Sequence, residues 1–253
     1  MKKLLLSAFV ICLAGTSIAQ ESPLWMRHCA LSPDGTTIAF TYKGDIYTVP
    51  STGGRATQIT TNPAFDTEPV WSPDSKQIAF ASDRMGSLDV FVVSSEGGAP
   101  QRLTTHSGSE KPVAYKDNKH ILFTANIAPS AEDAGFPSGQ FQQVYEVAVT
   151  GGRPAMFSSM PMECISINKE GVMLYQDKKG YEDYWRKHQV SPIARDIWTY
   201  TPGKKPVYQK QTTFGGEDRE PVWSPDGKSF YYLSEEKGSF NIFQRTPGTT
   251  TSQ

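Results

Sequence analysis

The sequence predicts an all-β chain, a β-propeller of four-stranded antiparallel blades with about five blades present of six, from three observations. One unit recurs five times at a spacing of 40 residues or more. Each copy alternates apolar and polar side chains with period two, and turn-forming residues stand at fixed places between the alternating runs.

The clearest copies are Pro69-Val70-Trp71-Ser72-Pro73-Asp74-Ser75 and Pro221-Val222-Trp223-Ser224-Pro225-Asp226-Gly227, with Leu31-Ser32-Pro33-Asp34-Gly35 as a third. Weaker copies are Tyr115-Lys116-Asp117-Asn118 and Ile167-Asn168-Lys169-Glu170-Gly171. Measured on the acidic residue or its counterpart, the repeats begin at 34, 74, 117, 170 and 226, so later copies carry insertions. Proline after serine presets φ for the first corner of a type I turn, and a closing glycine accepts a left-handed backbone, so Ser-Pro-Asp-Gly reads as a hairpin turn. Beyond it come the apolar pairs Ile38/Phe40, Ile78/Phe80, Ile121/Phe123, Met173/Tyr175 and Phe230/Tyr232, which mark a second strand with one buried face. A third strand is expected at Asp45-Ile46-Tyr47, Asp89-Val90-Phe91, Gln143-Val144-Tyr145, Asp196-Ile197-Trp198 and Asn241-Ile242-Phe243. Gly53-Gly54, Gly97-Gly98 and Gly151-Gly152 then turn the chain into a fourth strand ending near Thr61, Thr105 and Ser159, and Thr213 marks that end in the fourth copy. The blades fall near 24–61, 66–105, 109–159, 162–213 and 219–253, within a propeller domain of residues 20–253.

Composition narrows the function classes. Twenty-five Lys and Arg against 26 Asp and Glu leave a formal charge of −1, with no basic excess to neutralise a phosphate backbone, so nucleic acid is not an expected partner. Residues 1–19 read as a signal peptide: Lys2 and Lys3, an apolar run from Leu4 to Leu13, and Ser17-Ile18-Ala19 at the cleavage point. The run is shorter than the roughly 20 residues that span a bilayer, so no membrane span is expected after cleavage, and the chain is expected in the periplasm. Cleavage takes away Cys12 and leaves Cys29 and Cys164, which are too few to define a disulfide framework.

The repeat pattern Pro-x-Trp-Ser-Pro-Asp-Gly-x-x-Ile-Ala-Phe is similar to the repeats of TolB-like and tricorn-like propellers and covers nearly all of residues 24 to 247. The stretch from Tyr181 to His188, followed by Arg195-Asp196-Ile197-Trp198, resembles the N-terminal propeller of bacterial tricorn-type serine peptidases of the S41 class. That resemblance implies a non-catalytic domain that gates or guides peptide substrates, or unfolded polypeptide, towards a catalytic core in C-terminal domains of a longer chain. It also implies six blades, and the sequence ends about where the fourth strand of the fifth would begin, so the chain is expected to be a fragment. The alternatives are a TolB-like propeller that docks proteins without enzymatic activity, and the cap of a prolyl-oligopeptidase-type enzyme. Self-association is left open.

In antiparallel blades the connections between strands two and three share one face with the links between blades, and both large insertions, Asn126 to Gln140 and Gln176 to Arg195, fall there. The same face receives the start of the first strand of each blade. Glu68, Glu163 and Glu220 stand four residues before the serine position or its counterpart, and Glu110 five before Tyr115, which predicts an acidic collar at one mouth of the channel. Arg186, Lys187 and His188 from the long insertion are expected to oppose these glutamates or to grip a peptide carboxylate. No catalytic residues, cofactor or metal are expected. The histidines at 28, 106, 120 and 188 lack His-x-x-x-His spacing, and no Cys-x-x-Cys, Gly-x-Ser-x-Gly or phosphate-cradling loop occurs.

Overall fold

The computed structural model describes residues 25–127, 141–180, 188 and 190–249. The expected signal peptide, Arg186 and Lys187 lie outside these residues. All regular structure among the described residues is β, arranged as five antiparallel sheets.

In chain order, blade one comprises β1 (Arg27–Leu31), β2 (Thr37–Tyr42), β3 (Asp45–Pro50) and β4 (Thr57–Gln58), and blade two comprises β5 (Asp66–Trp71), β6 (Gln77–Ser82), β7 (Asp89–Ser94) and β8 (Gln101–Arg102). Blade three holds β9 (Lys111–Asp117), β10 (His120–Ala125), β11 (Gln143–Ala148) and β12 (Ala155–Ser158). Blade four holds β13 (Met162–Ile167), β14 (Met173–Asp177), β15 (Ile197–Thr201) and β16 (Val207–Lys210). Blade five shows β17 (Asp218–Trp223), β18 (Phe230–Ser234) and β19 (Asn241–Arg245). Each strand pairs with the next, so the strand order within every sheet follows the sequence.

The predicted turns form for the reasons given. The Ser72 hydroxyl donates to Asp74 at 2.6 Å and accepts the Gln77 N–H at 2.9 Å, while Ser75 N–H closes the turn on the Ser72 carbonyl. Ser32 and Ser224 repeat both side-chain bonds with Asp34 and Asp226. The fourth residue of the turn has positive φ, 75° at Gly35 and 70° at Gly227, and Ser75 holds 61° where glycine would be unstrained.

The core is not central. It is divided into four apolar layers, one between each pair of successive blades. The layer between blades one and two joins Ala39, Ile46 and Ile59 to Trp71, Ile78 and Phe80. Its seam is stitched by Trp71, whose Nε1–H donates to the Ala30 carbonyl at 2.9 Å, and Trp223 does the same at the last seam with the Val172 carbonyl at 3.1 Å. Equivalent aromatic pairs stack across strands two and three, Phe40 on Tyr47, Phe80 on Phe91 and Phe123 on Tyr145, with centroids 5.7 to 5.9 Å apart. Because the cores lie between blades, most of the side chains left at the hub are polar, interspersed with Pro112, Val113, Pro161 and Met162.

The outer face of blade five departs from this pattern. Ile46, Val90, Val144 and Ile197 occupy one equivalent position and are fully buried, whereas Ile242 at that position is 73% exposed. Val222 and Leu31, on the facing surfaces of blades five and one, are also more than half exposed.

Candidate functional site

The innermost strand of every blade carries a β-bulge at the same place. In blade two, Glu68 and Pro69 together oppose Phe80, between the pairs Thr67–Ala81 and Val70–Ala79. The same slip falls after Arg27, Glu163 and Arg219, and in blade three it falls at Pro112 and Val113. The first bulge residue is His28, Glu68, Pro112, Cys164 or Glu220, and all except the proline have left-handed φ, 51° to 55°. A left-handed bulge turns the side chain out of the strand's normal alternation. All five of these residues line one cavity of about 490 Å³ at the hub, which opens towards the face that carries the two-to-three connections.

Glu68, Glu163, Lys178 and Arg195, which line this cavity, are ion-paired. Lys111 reaches from blade three to Glu68 of blade two, 2.7 Å from Oε1. Glu163 accepts hydrogen bonds from Lys178 at 2.9 Å, Gln176 at 3.0 Å and Arg195 Nε at 3.2 Å. Arg195 also donates to Glu217 at 2.6 Å, and Gln176 Oε1 accepts the Glu220 N–H at 2.7 Å, so this chain of contacts ties blade four to blade five. Burial raises the Glu163 carboxyl, but the bonds from Lys178 and Gln176 and the charges of Lys178 and Arg195 outweigh it and hold Glu163 below the usual carboxylate range. Arg219 lies over the Phe240 ring, 3.9 Å from its centroid.

The acidic collar expected from sequence is therefore only partly assembled. Glu68, Glu163 and Glu220 do line the cavity. Only Glu68 and Glu220 are equivalent, because the counterpart of Ser72 in blade four is Asn168, whose carbonyl accepts the Gly171 N–H as the Ser72 carbonyl accepts that of Ser75. Counting four back from Asn168 reaches Cys164, and Glu163 precedes the bulge. Glu110 stands away from the hub: it is buried at the seam of blades two and three, where Oε2 accepts the His106 N–H at 3.3 Å and burial, then Asp89, raises its carboxyl. His188 lies in a separate hollow of about 210 Å³ with Val190, Phe214 and Glu235, and its N–H donates to Glu235 Oε2 at 2.6 Å. Sequence reasoning missed His28, Cys164, Gln176, Lys178, Arg195 and Arg219. His28 and Cys164 were findable by the same count of four, but their side chains share no chemistry with glutamate.

Cys164 and Cys29 are free thiols. The Cys164 thiol opens to the cavity and has no hydrogen-bond partner among the described residues. Burial within the protein mass, then Glu220 and Glu163, push it up to about 12, and Arg195 opposes them.

Five antiparallel sheets packed face to face about a polar hub define a β-propeller built from Ser-Pro-Asp turn repeats. The chain belongs to the family of the tricorn protease N-terminal β-propeller domain, whose profile matches residues 23–253. It is 39% identical over 213 residues to tricorn protease homolog 1 of Streptomyces coelicolor, a match that covers 83% of this chain and 19% of the relative. The chain thus spans about a fifth of that relative's length. Among solved structures, the crystal structure of the tricorn protease superposes with a TM-score of 0.72 at 16% identity, covering 92% of this chain and 22% of that one. A TolB from Agrobacterium tumefaciens superposes with a TM-score of 0.70 at 14% identity, covering 92% and 80%.

Proposed function

We propose that this propeller is the non-catalytic N-terminal domain of an exported, tricorn-like serine peptidase, and that it guides extended peptides through its hub towards a catalytic core carried by the C-terminal part of the parent protein. The observation that carries this reading is the junction of family and geometry: a tricorn-type propeller whose five inner strands each turn one residue into a single axial cavity. The bore suits an unfolded chain better than a folded partner, because what it offers is paired polar side chains rather than a broad apolar patch. Export to the periplasm rests on residues 1–19, with their lysine pair, apolar run and small-residue cleavage point.

The test uses the whole chain and a 12-residue unstructured peptide with a central photo-crosslinking residue. The peptide is expected to bind without being cleaved and to crosslink to the hub strands β5, β9, β13 and β17. Crosslinks confined to the outer strands, or turnover abolished by replacing one of the chain's own serines, would overturn the guiding role. Capture of a folded envelope protein in place of the peptide would favour the TolB-like alternative.

A further inference from the structure

We infer that the seam between blades two and three is a pH-operated latch: a proton held on Glu110 closes it, and loss of that proton loosens blade two from blade three. The latch belongs to the scaffold and stands whether or not the hub guides peptides.

Three of the four seams bring two acids to the same place. The residue that opens a blade, Asp66, Glu110 or Asp218, donates its N–H to the carbonyl of Gly44, Leu88 or Arg195, and each of these stands just before the acid of the preceding blade's third strand, Asp45, Asp89 or Asp196. The seams differ in what neutralises them. Between blades one and two, Arg84 contacts both oxygens of the fully buried Asp66 at 3.0 Å, and Asp45 is only half-buried. Arg84 stands four residues past Phe80, and the residue four past Phe123 in blade three is Ile127. Asp89 and Glu110 are 0% and 1% exposed, and one arginine serves them both: Arg102 of β8 lies 2.8 Å from Asp89 Oδ2. Among the described residues no hydrogen bond reaches either oxygen of Asp89 or Oε1 of Glu110. The other groups that face Glu110 supply no cation. His106 gives it a backbone N–H at 3.3 Å, and His106 Nδ1 accepts the Gly108 N–H at 3.0 Å, so the ring is neutral. The Thr104 hydroxyl already accepts the Val90 N–H at 2.9 Å. Lys111, next in sequence to Glu110, is turned onto Glu68. An ionised Glu110 would be a second buried negative charge with no partner, and such a group takes up a proton instead. Burial accordingly raises the Glu110 carboxyl and Asp89 adds to it, against the Thr104 hydroxyl and the N–H and ring of His106. The folded value lies above the unfolded one, so the stability it contributes is complete below the ordinary carboxylate range and is lost as pH rises through the folded value.

Native-state hydrogen exchange of the full chain, followed residue by residue by NMR and corrected for the intrinsic effect of pH, reads each seam separately. The reporters at the latch are the Glu110 N–H, bonded to the Leu88 carbonyl, and the Leu103 N–H, bonded to the Val90 carbonyl. The Asp66 and Ile59 N–H groups, bonded to the Gly44 and Ile46 carbonyls, make the same bonds at the seam that Arg84 closes and serve as controls. From about pH 5 to about pH 8, protection at Glu110 and Leu103 should fall about fivefold or more beyond any fall at Asp66 and Ile59. This comparison of two seams in the unsubstituted chain needs no variant to fold. Glu110→Gln keeps a neutral side chain of the same shape at every pH and should remove the excess fall, whereas His106→Gln should leave it in place. No excess fall in the unsubstituted chain, or one that survives Glu110→Gln, overturns the inference. An excess fall that disappears with His106→Gln assigns the titration to the imidazole and overturns it as well. Millimolar calcium that restores protection at the higher pH in the unsubstituted chain, but not in Glu110→Gln, would put a metal ion where the proton is assigned and would likewise overturn it.

Discussion

Truncation of one equivalent position in two blades separates a core held between blades from a core held at the hub. Ile197 in β15 and Ile242 in β19 occupy the same place in the repeat, but Ile197 is fully buried against blade five and Ile242 is 73% exposed. Ile197→Ala removes three buried carbons. At about 0.8 kcal/mol per buried methylene that is roughly 2.4 kcal/mol of transfer free energy before any cavity contribution, so the expected loss is about 2.5 to 4 kcal/mol. Ile242→Ala removes the same atoms from a largely hydrated site and should cost about 0.5 kcal/mol. The assay is urea unfolding followed by fluorescence of Trp71, Trp198 and Trp223, comparing midpoints at constant slope. Equal losses at the two positions would refute the layered arrangement of the core, because a residue with water over its outer face cannot lose as much as one enclosed on both.

Three further outcomes are expected from the same structure. Burial, then the charge of Asp196, raises the Asp218 carboxyl to about 6, against the neighbouring Ser234 and Thr212 hydroxyls and the charge of Arg245, while neither carboxylate oxygen has a hydrogen-bond partner among the described residues. Its folded value therefore exceeds its unfolded value, so it contributes stability that is complete below about pH 4 and is lost as pH rises through 6, on the order of 2 to 3 kcal/mol. Asp218→Asn should flatten the fall in Tm between about pH 4 and pH 7, and an unchanged fall would remove Asp218 as its cause. Arg84 contacts both carboxylate oxygens of the fully buried Asp66 at 3.0 Å, so Arg84→Met should cost about 3 to 5 kcal/mol by urea unfolding, and a loss below about 1 kcal/mol would show that Asp66 is compensated elsewhere. Ser72→Ala removes the acceptor of the Gln77 N–H and one of the two donors to Asp74, and should cost about 1 to 2 kcal/mol in the same assay, whereas Ser95→Ala, whose side chain closes no such turn, serves as the neutral control.

The blades were legible because their signals are local. Serine, proline, aspartate and glycine form the turn through bonds that span two to five residues, and the alternation of Ile38/Phe40 or Phe230/Tyr232 states which face is buried. The ring was less legible because a bulge breaks that alternation. A one-residue slip in the inner strand decides whether residue 163 or 164 takes the axial position of blade four, and only the pairing of Ser166 with Leu174 and of Glu163 with Gln176 settles it. Glu110 looked like a collar residue by spacing, yet it stands before the inner strand, where its carboxylate turns into the seam beside Asp89. The partners that gather on Glu163 come from β14 and from the link before β15, 13 to 32 residues away, and no local pattern connects them.

Thiol protection at the hub tests the central claim most directly. Both thiols are exposed, but Cys164 lines the axial cavity and Cys29, the second residue of the blade-one bulge, does not, so one chain carries both the probe and its control. A saturating unstructured peptide should slow alkylation of Cys164 by a neutral maleimide about tenfold or more while leaving Cys29 unchanged, as expected for a ligand that excludes reagent from a narrow site. Equal protection of both thiols, or of Cys29 alone, would place the peptide elsewhere on the propeller and contradict the account.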